Sequence, residues 1–371
     1  MNIDKLNRLL DTMPDRGVPA CDLIVTQNSK QIYRHMSGYA DAAHTRPVSP
    51  DDLYWCFSTS KVITCVAAMQ LVERGIISPS DRLDRYIPEF SHMKIQHRDG
   101  SLTDAAAPIL LEHLFTMTAG MSYDIKHPAI VEASVPGAGT VDIVRAMAKI
   151  PLGFEPGTRY RYSLCHDVLA AVVEISSGMR FSDYLRANIF DPCEMEEIGF
   201  RPPEQQLSRF SATYKFVNYN GTCIPCDNAN GYRFTPEYES GGAGIFTRAD
   251  EYIKMLSALS CSGTPAGRGI LRPETVAMME KNRLCPEANN DFVNGRLYGY
   301  GWGYCGRVHI NPAYSLSLSP VGEFGWDGAA GAFAMVDRKN RLALYLASHI
   351  LGCGYMYRML HPIIRNLVYE D

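Results

Sequence analysis

The sequence predicts an α+β fold: an antiparallel sheet built from both chain ends and flanked by helices, with an inserted, mainly helical lobe. Three observations carry this expectation. β-Hairpin patterns stand near both termini, a helix apolar on nearly every side follows the first of them, and capped helices alternate with long loops in between. The expected organisation is one domain over 1–371, with an α/β lobe from 1–80 and 290–371 and a mainly helical lobe from 81–289.

Ile3, Leu6, Leu9, Leu10 and Met13 recur at helical spacing, which predicts an amphipathic helix packed on the body. DLIVTQNSKQIYRHMSGYA reads as a hairpin with its turn at 28–30. A helix is predicted from Ser58 to Gly75, with Gly75 as its stop. Val62, Ile63, Val66, Ala67, Met69, Leu71 and Val72 cover most of its circumference, so it should be buried at the centre. Thr140 is expected to cap a helix through Ile150, with Asp142 in its first turn. Ser163 should cap another running to about Ser177 before Gly178, and Ser182 a third. Thr247 and Asp250 have capping-box spacing, and Pro273 suits a first helical position. GAFAMVD and RLALYLASHI flank a DRKN turn, the second hairpin, and a closing amphipathic helix spans Met356 to Tyr369.

A chain of 371 residues can bury a sizeable core, and 46% hydrophobic with 20% charged residues is ordinary globular composition. The formal net charge of -4 supplies no basic field for nucleic acid or an anionic membrane. No apolar run approaches the ~18 residues that span a bilayer, and the N-terminus lacks the basic-then-apolar pattern of a secretory signal. The 11 cysteines are odd in number and irregular in spacing, which points to a reducing cytoplasm. Cys223 and Cys226 form a single CxxC with no matching second pair, and the His92/His97 pair lies in a polar loop. Neither reads as a metal site, and no cofactor is expected.

A serine hydroxyl needs a neighbouring base before it attacks a carbonyl. Ser58 and Lys61 stand three apart at the head of the apolar helix, a spacing that puts them on one face. Burial there favours the neutral amine, and the helix N-terminus brings N–H groups to a developing oxyanion. Ser-x-x-Lys alone is weak: Ser91 and Lys94 repeat it in a polar stretch with no buried helix behind, and that copy reads as a decoy.

Five segments in order strengthen the first copy: WCFSTSKVITCVAAMQLVERGIISPSDRLDRYIPEF, LLEHLFTMTAGMSY, FEPGTRYRYSLCHDVLAAVVEISSG, ESGGAGIFTRADEYIKML and FGWDGAAGAFAMVDRKNRLALYLAS. Together they resemble the serine β-lactamase and penicillin-binding protein superfamily, in its class C, carboxylesterase-like branch. The resemblance implies the β-lactamase/transpeptidase-like fold, with Ser58 as nucleophile, Lys61 as base and Tyr162 as the second proton-transfer group. Tyr160, two residues away, is the fallback. It also implies an oxyanion hole from the N–H groups of Ser58 and Ala329. Two departures matter. The Tyr-x-Asn motif is here Tyr162-Ser163-Leu164, and Lys-Thr-Gly is Trp326-Asp327-Gly328. Leu164, Trp326, Asp327 and Gly328 are therefore expected at the substrate, with Asp327 either repelling anions or facing solvent, and Gly328 admitting the substrate to the backbone. His166, one helical turn after Tyr162, could enter the site, but a structural role is expected.

The expectation is a serine hydrolase that forms an acyl-enzyme on a small-molecule ester or amide, most simply an esterase for small neutral esters. The alternatives are a D-amino-acid peptidase or amidase, a β-lactamase, an acyltransferase, and a non-catalytic scaffold. The acyl group, the leaving group and the oligomeric state stay open at this stage.

Overall fold

The computed structural model describes residues 1–217, 222–261, 263, 267, 269–294 and 297–370. A seven-stranded antiparallel sheet runs, from one edge, through Tyr300–Trp302, Arg307–His309, Phe324–Gly325, Phe333–Asp337, Leu342–Ser348, Ala20–Gln27 and Lys30–Gly38. The N-terminal hairpin thus closes onto the C-terminal one. Its turn needs two left-handed residues, and Asn28 (φ 51°) and Ser29 (φ 60°) supply them.

The side-chain period of two sorts the central strands between two cores. Leu23, Val25, Leu342, Leu344 and Leu346 face the two terminal helices, Ile3–Asp11 and His361–Tyr369. Ile24, Ala343, Tyr345 and Ala347 face the main core, where helix Ala249–Cys261 lies across the sheet. Both faces of Leu342–Ser348 are buried, which explains its unbroken apolar sequence.

Helix Ser60–Glu73 is buried at every residue from Ser60 to Leu71, as an apolar circumference requires. It packs on Cys165–Ser177, which in turn meets Leu111–Phe115 and Thr140–Met147. Several boundaries differ from expectation. Helix Thr140–Met147 is capped in reverse: Asp142 accepts from the Gly139 N–H (3.0 Å), while Thr140 Oγ1 accepts from the Glu239 N–H (2.9 Å). Ser163 Oγ turns to Cys165 Sγ (3.0 Å), and Leu164 precedes the first helical turn. The C-terminal segment is a π-helical turn, Met356–Leu360, followed by helix His361–Tyr369 with Pro362 in its first turn. No described helix is long and apolar enough to cross a membrane.

Candidate active site

The chain enters the site along the short strand Tyr54–Trp55, which pairs with Phe246–Thr247, and Cys56 N–H bonds Ile245 O at 2.8 Å. A 3₁₀ turn, Phe57–Thr59, then leads into the central helix and carries Ser58. Phe57 has φ 45°, a left-handed conformation that costs a bulky residue about 1–3 kcal/mol. Its ring is buried beside Tyr232 and His349. Backbone strain here directs Ser58 out of the helix line and into a cavity of about 410 Å³.

Lys61 is buried one turn on, its Nζ 3.2 Å from Ser58 Oγ. It also donates to the carbonyl of Gly242 at 2.7 Å. Gly242 must be glycine for this approach: a Cβ there would run into Asp167 Oδ2 and lie 3.3 Å from Lys61 Nζ. Asp167 holds the Gly-Gly segment, accepting from Tyr238 OH (2.8 Å), Ser240 Oγ (2.6 Å) and the Gly242 N–H (3.3 Å).

The ring of Tyr162 lies 4.8 Å from Lys61 Nζ and stacks on Tyr123. Its hydroxyl accepts from the Trp326 indole N–H at 2.8 Å. Tyr160 also lines the cavity, but its ring turns to Phe292 (5.2 Å) and Trp302 (5.5 Å). The structure thus brings Ser58, Lys61, Tyr162 and Trp326 together.

Two expectations need correction. Leu164 faces away from the cavity, into a recess formed with Met121, Met147 and Ile150. The chain turns into a helix at this residue, so the extended alternation that would have kept it beside Tyr162 ends there. Asp327 borders the cavity, but its carboxylate is spent inside the protein: Arg307 donates to it at 2.9 Å and His361 lies 3.6 Å away. Burial alone would push this carboxyl up; Arg307 and then His361 outweigh it and hold it at about 2. It is neither a free anion at the substrate nor a solvent-facing group. Gly328 lines the cavity as expected, and the protein's own backbone also comes close there. A Cβ there would sit 2.6 Å from the Cys56 carbonyl, so the glycine seats the turn 328–331 against the segment that carries Ser58. This places Ala329 on the same cavity as Ser58.

His166 is wholly buried, with Nε2 3.2 Å from the Phe115 carbonyl. Burial, then Lys61, drives its pKa down to about 3, so it is a neutral structural residue. Lys94 of the second Ser-x-x-Lys pairs with Asp104 (2.5 Å) on an exposed hairpin. Cys223 and Cys226 occupy the two ends of one strand, an odd spacing that sends their side chains to opposite faces. Among the described residues no group of three or more His, Cys, Asp or Glu side chains is placed to hold a metal ion.

Sequence reasoning missed the Gly242 carbonyl, Tyr123, Asp167, Phe292 and Tyr357. The Gly241-Gly242 pair was the one usable signal, since adjacent glycines before a helix mark a close backbone approach. The others reach the site from distant segments without a local pattern.

Among the described residues, the charged side chains that line the cavity are all engaged. Arg161 donates to the carbonyls of Met121 (2.8 Å) and Gly120. Asp291 takes both branches of Arg159 at 2.5 Å, and Asp327 takes Arg307. Tyr160, Phe292, Leu297 and Trp326 form the apolar wall.

A buried serine–lysine pair heading a central helix, beside an antiparallel sheet closed by both termini, is the β-lactamase/transpeptidase-like architecture. The chain belongs to the Beta-lactamase family, whose model matches residues 6–354. It is 28% identical to "Esterase EstB" of Burkholderia gladioli over 98% of this chain and 94% of that protein. It is 26% identical to "Acyltransferase calJ" of Penicillium decumbens over 94% and 86%. A solved structure described as "EstCE1, a hydrolase with promiscuous acyltransferase activity" matches with a TM-score of 0.81 at 22% identity, over 100% of this chain and 98% of that one.

Proposed function

We propose that the protein is a serine esterase that hydrolyses small neutral esters through an acyl-enzyme on Ser58. The observation that carries this reading is the 3.2 Å approach of Lys61 Nζ to Ser58 Oγ at the floor of an aromatic cavity. In acylation, Ser58 Oγ forms a bond to the carbonyl carbon and its proton passes to the amine of Lys61, acting as general base. Gly242 O keeps that amine aimed throughout. The N–H groups of Ser58 and Ala329 receive the oxyanion. When the intermediate collapses, the bond to the leaving oxygen breaks and Tyr162 delivers the proton to it, replenished from Lys61. Water repeats the sequence in reverse order of proton flow and frees the acid. The Trp326 N–H on the Tyr162 oxygen steadies the charge that builds there as the phenol gives up its proton.

Neutral esters fit because the wall of the cavity is aromatic and Arg161, the cation that lines it among the described residues, spends its N–H groups on the carbonyls of Met121 and Gly120. The Burkholderia esterase, similar over nearly the full length of both chains, supports hydrolysis, and the Penicillium acyltransferase supports the second reading, in which an alcohol replaces water. The 11 cysteines, all free thiols in the structure, support a reducing, cytoplasmic setting.

The test is labelling with a fluorophosphonate, with p-nitrophenyl butyrate and a chromogenic cephalosporin assayed on the same preparation. Ser58 should carry the label, Ser58→Ala should lose it along with several orders of magnitude in kcat, and the ester should be the better substrate. Near-native esterase activity in Ser58→Ala would remove Ser58 as nucleophile, and a cephalosporin preference would restore the lactamase reading.

A further inference from the structure

Ala329 N–H and Gly328 C=O belong to the same peptide unit. The two point in opposite directions from one rigid plane, so whatever holds the carbonyl also aims the N–H. Tyr357, on the π-helical turn Met356–Leu360, has its hydroxyl 2.8 Å from the Gly328 carbonyl and 2.8 Å from that of Ala329. Its single proton is shared between these two oxygens. Gly331 N–H occupies the other side of the Gly328 oxygen at 2.9 Å, and His361 Nε2, one turn after Tyr357, lies 3.1 Å from Gly331 O. Two residues of the C-terminal segment thus clasp the turn 328–331.

We propose that Tyr357 is a positioning residue of the oxyanion hole, fixing and polarising the peptide whose N–H, from Ala329, meets the developing negative charge. The inference rests on the serine-esterase reading and adds a residue that none of its motifs contains. Two effects are combined. Donation to Gly328 O stops the peptide plane from rotating, which preorganises the Ala329 N–H. A hydrogen bond accepted at the carbonyl also strengthens donation from the N–H of the same amide. The phenol stays protonated for this task, since burial and then the Asp327 carboxylate both push its pKa up. Tyr357 lines the cavity as well, so a plain wall role is the competing explanation.

Tyr357→Phe separates the two, because it keeps the ring and removes the hydroxyl. Full-length wild type and variant are assayed with p-nitrophenyl butyrate and its thiono analogue, in which sulfur replaces the carbonyl oxygen. Sulfur accepts hydrogen bonds weakly, so the thiono ester draws little from the oxyanion hole. Loss of one whole oxyanion donor costs about 10²–10³ in kcat. Loss of the group that aims it should cost about tenfold in kcat for the oxygen ester, with KM little changed. The thiono ester should be almost unaffected, so the oxygen-to-sulfur rate ratio should fall about tenfold. The ratio is taken on one preparation, so a reduced folded fraction cancels. An unchanged ratio, with both esters slowed alike or not at all, overturns the proposal. Fluorophosphonate labelling of Ser58 in the same samples shows whether the esterase reading stands independently of that result.

Discussion

Asp327 offers a prediction in which charge, stability and specificity are read together. Asp327→Asn removes the charge and little volume. In the wild type the carboxyl sits at about 2 against an ordinary 3.8, despite burial that opposes ionisation. A pKa depressed by that much stabilises the folded state by about 2 kcal/mol at neutral pH. The sign follows from the depression: the stabilisation is complete above the ordinary carboxylate value and is lost as pH falls from about 4 to about 2. Asp327→Asn should therefore unfold at lower urea than wild type at pH 7, and the two midpoints should converge as the pH approaches 2. The catalytic outcome is equally specific. Because Arg307 and His361 engage the carboxylate, it exerts little repulsion on a substrate. The kcat/KM ratio for p-nitrophenyl butyrate over the anionic p-nitrophenyl hemisuccinate should match between wild type and variant within about twofold. Selective improvement with the hemisuccinate would refute the reasoning, for it would show the carboxylate facing the substrate. A midpoint gap that persists undiminished near pH 2 would refute the ion-pair account.

Lys61→Arg keeps a cation but no accessible neutral base, and should leave esterase activity close to background in a p-nitrophenyl butyrate assay. Tyr162→Phe should lower kcat by about 10²-fold or more and Tyr160→Phe by far less; the reverse order would move the proton-transfer role by two residues. Gly242→Ala should displace the Lys61 amine, lowering kcat and the rate of fluorophosphonate labelling together, with the far-UV spectrum intact. Undiminished labelling would show that the glycine is not needed for the approach of Lys61.

The parts legible in the sequence were those written locally. The Asn28–Ser29 turn, the all-round apolar helix and the alternating strands each follow from neighbours in the chain. Ser58 and Lys61 were legible for the same reason, since one helical turn sets their distance. What failed depended on where the chain turns or on which distant segment arrives. Leu164 was misplaced because it was carried over from the amide position of the Tyr-x-Asn motif, while its side chain is drawn into a separate apolar recess. Asp327 was misread because Arg307 and His361, its partners, lie 20 residues before it and 34 after it, and nothing near Asp327 announces them. Tyr357 carries no motif, and its role emerges only once the C-terminal turn is seen lying on the 328–331 backbone.

Two glycines explain why the nucleophile has so little freedom. Gly242 lets Lys61 reach its carbonyl, and Gly328 lets the turn 328–331 abut Cys56 O. The Gly328 contact is backbone against backbone, where no side-chain rotamer can absorb an error. The residue before Ser58, Phe57, stands in a left-handed conformation. The substrate wall is built differently, from the side chains of Tyr160, Phe292, Leu297 and Trp326 on three separate segments. Substitutions at Phe292 or Leu297 therefore have room to change which acyl group fits without moving Ser58 or Lys61. Trp326 is the exception, because its indole N–H also holds the Tyr162 oxygen. At that one position specificity and proton transfer are coupled, and a change of wall is also a change of chemistry.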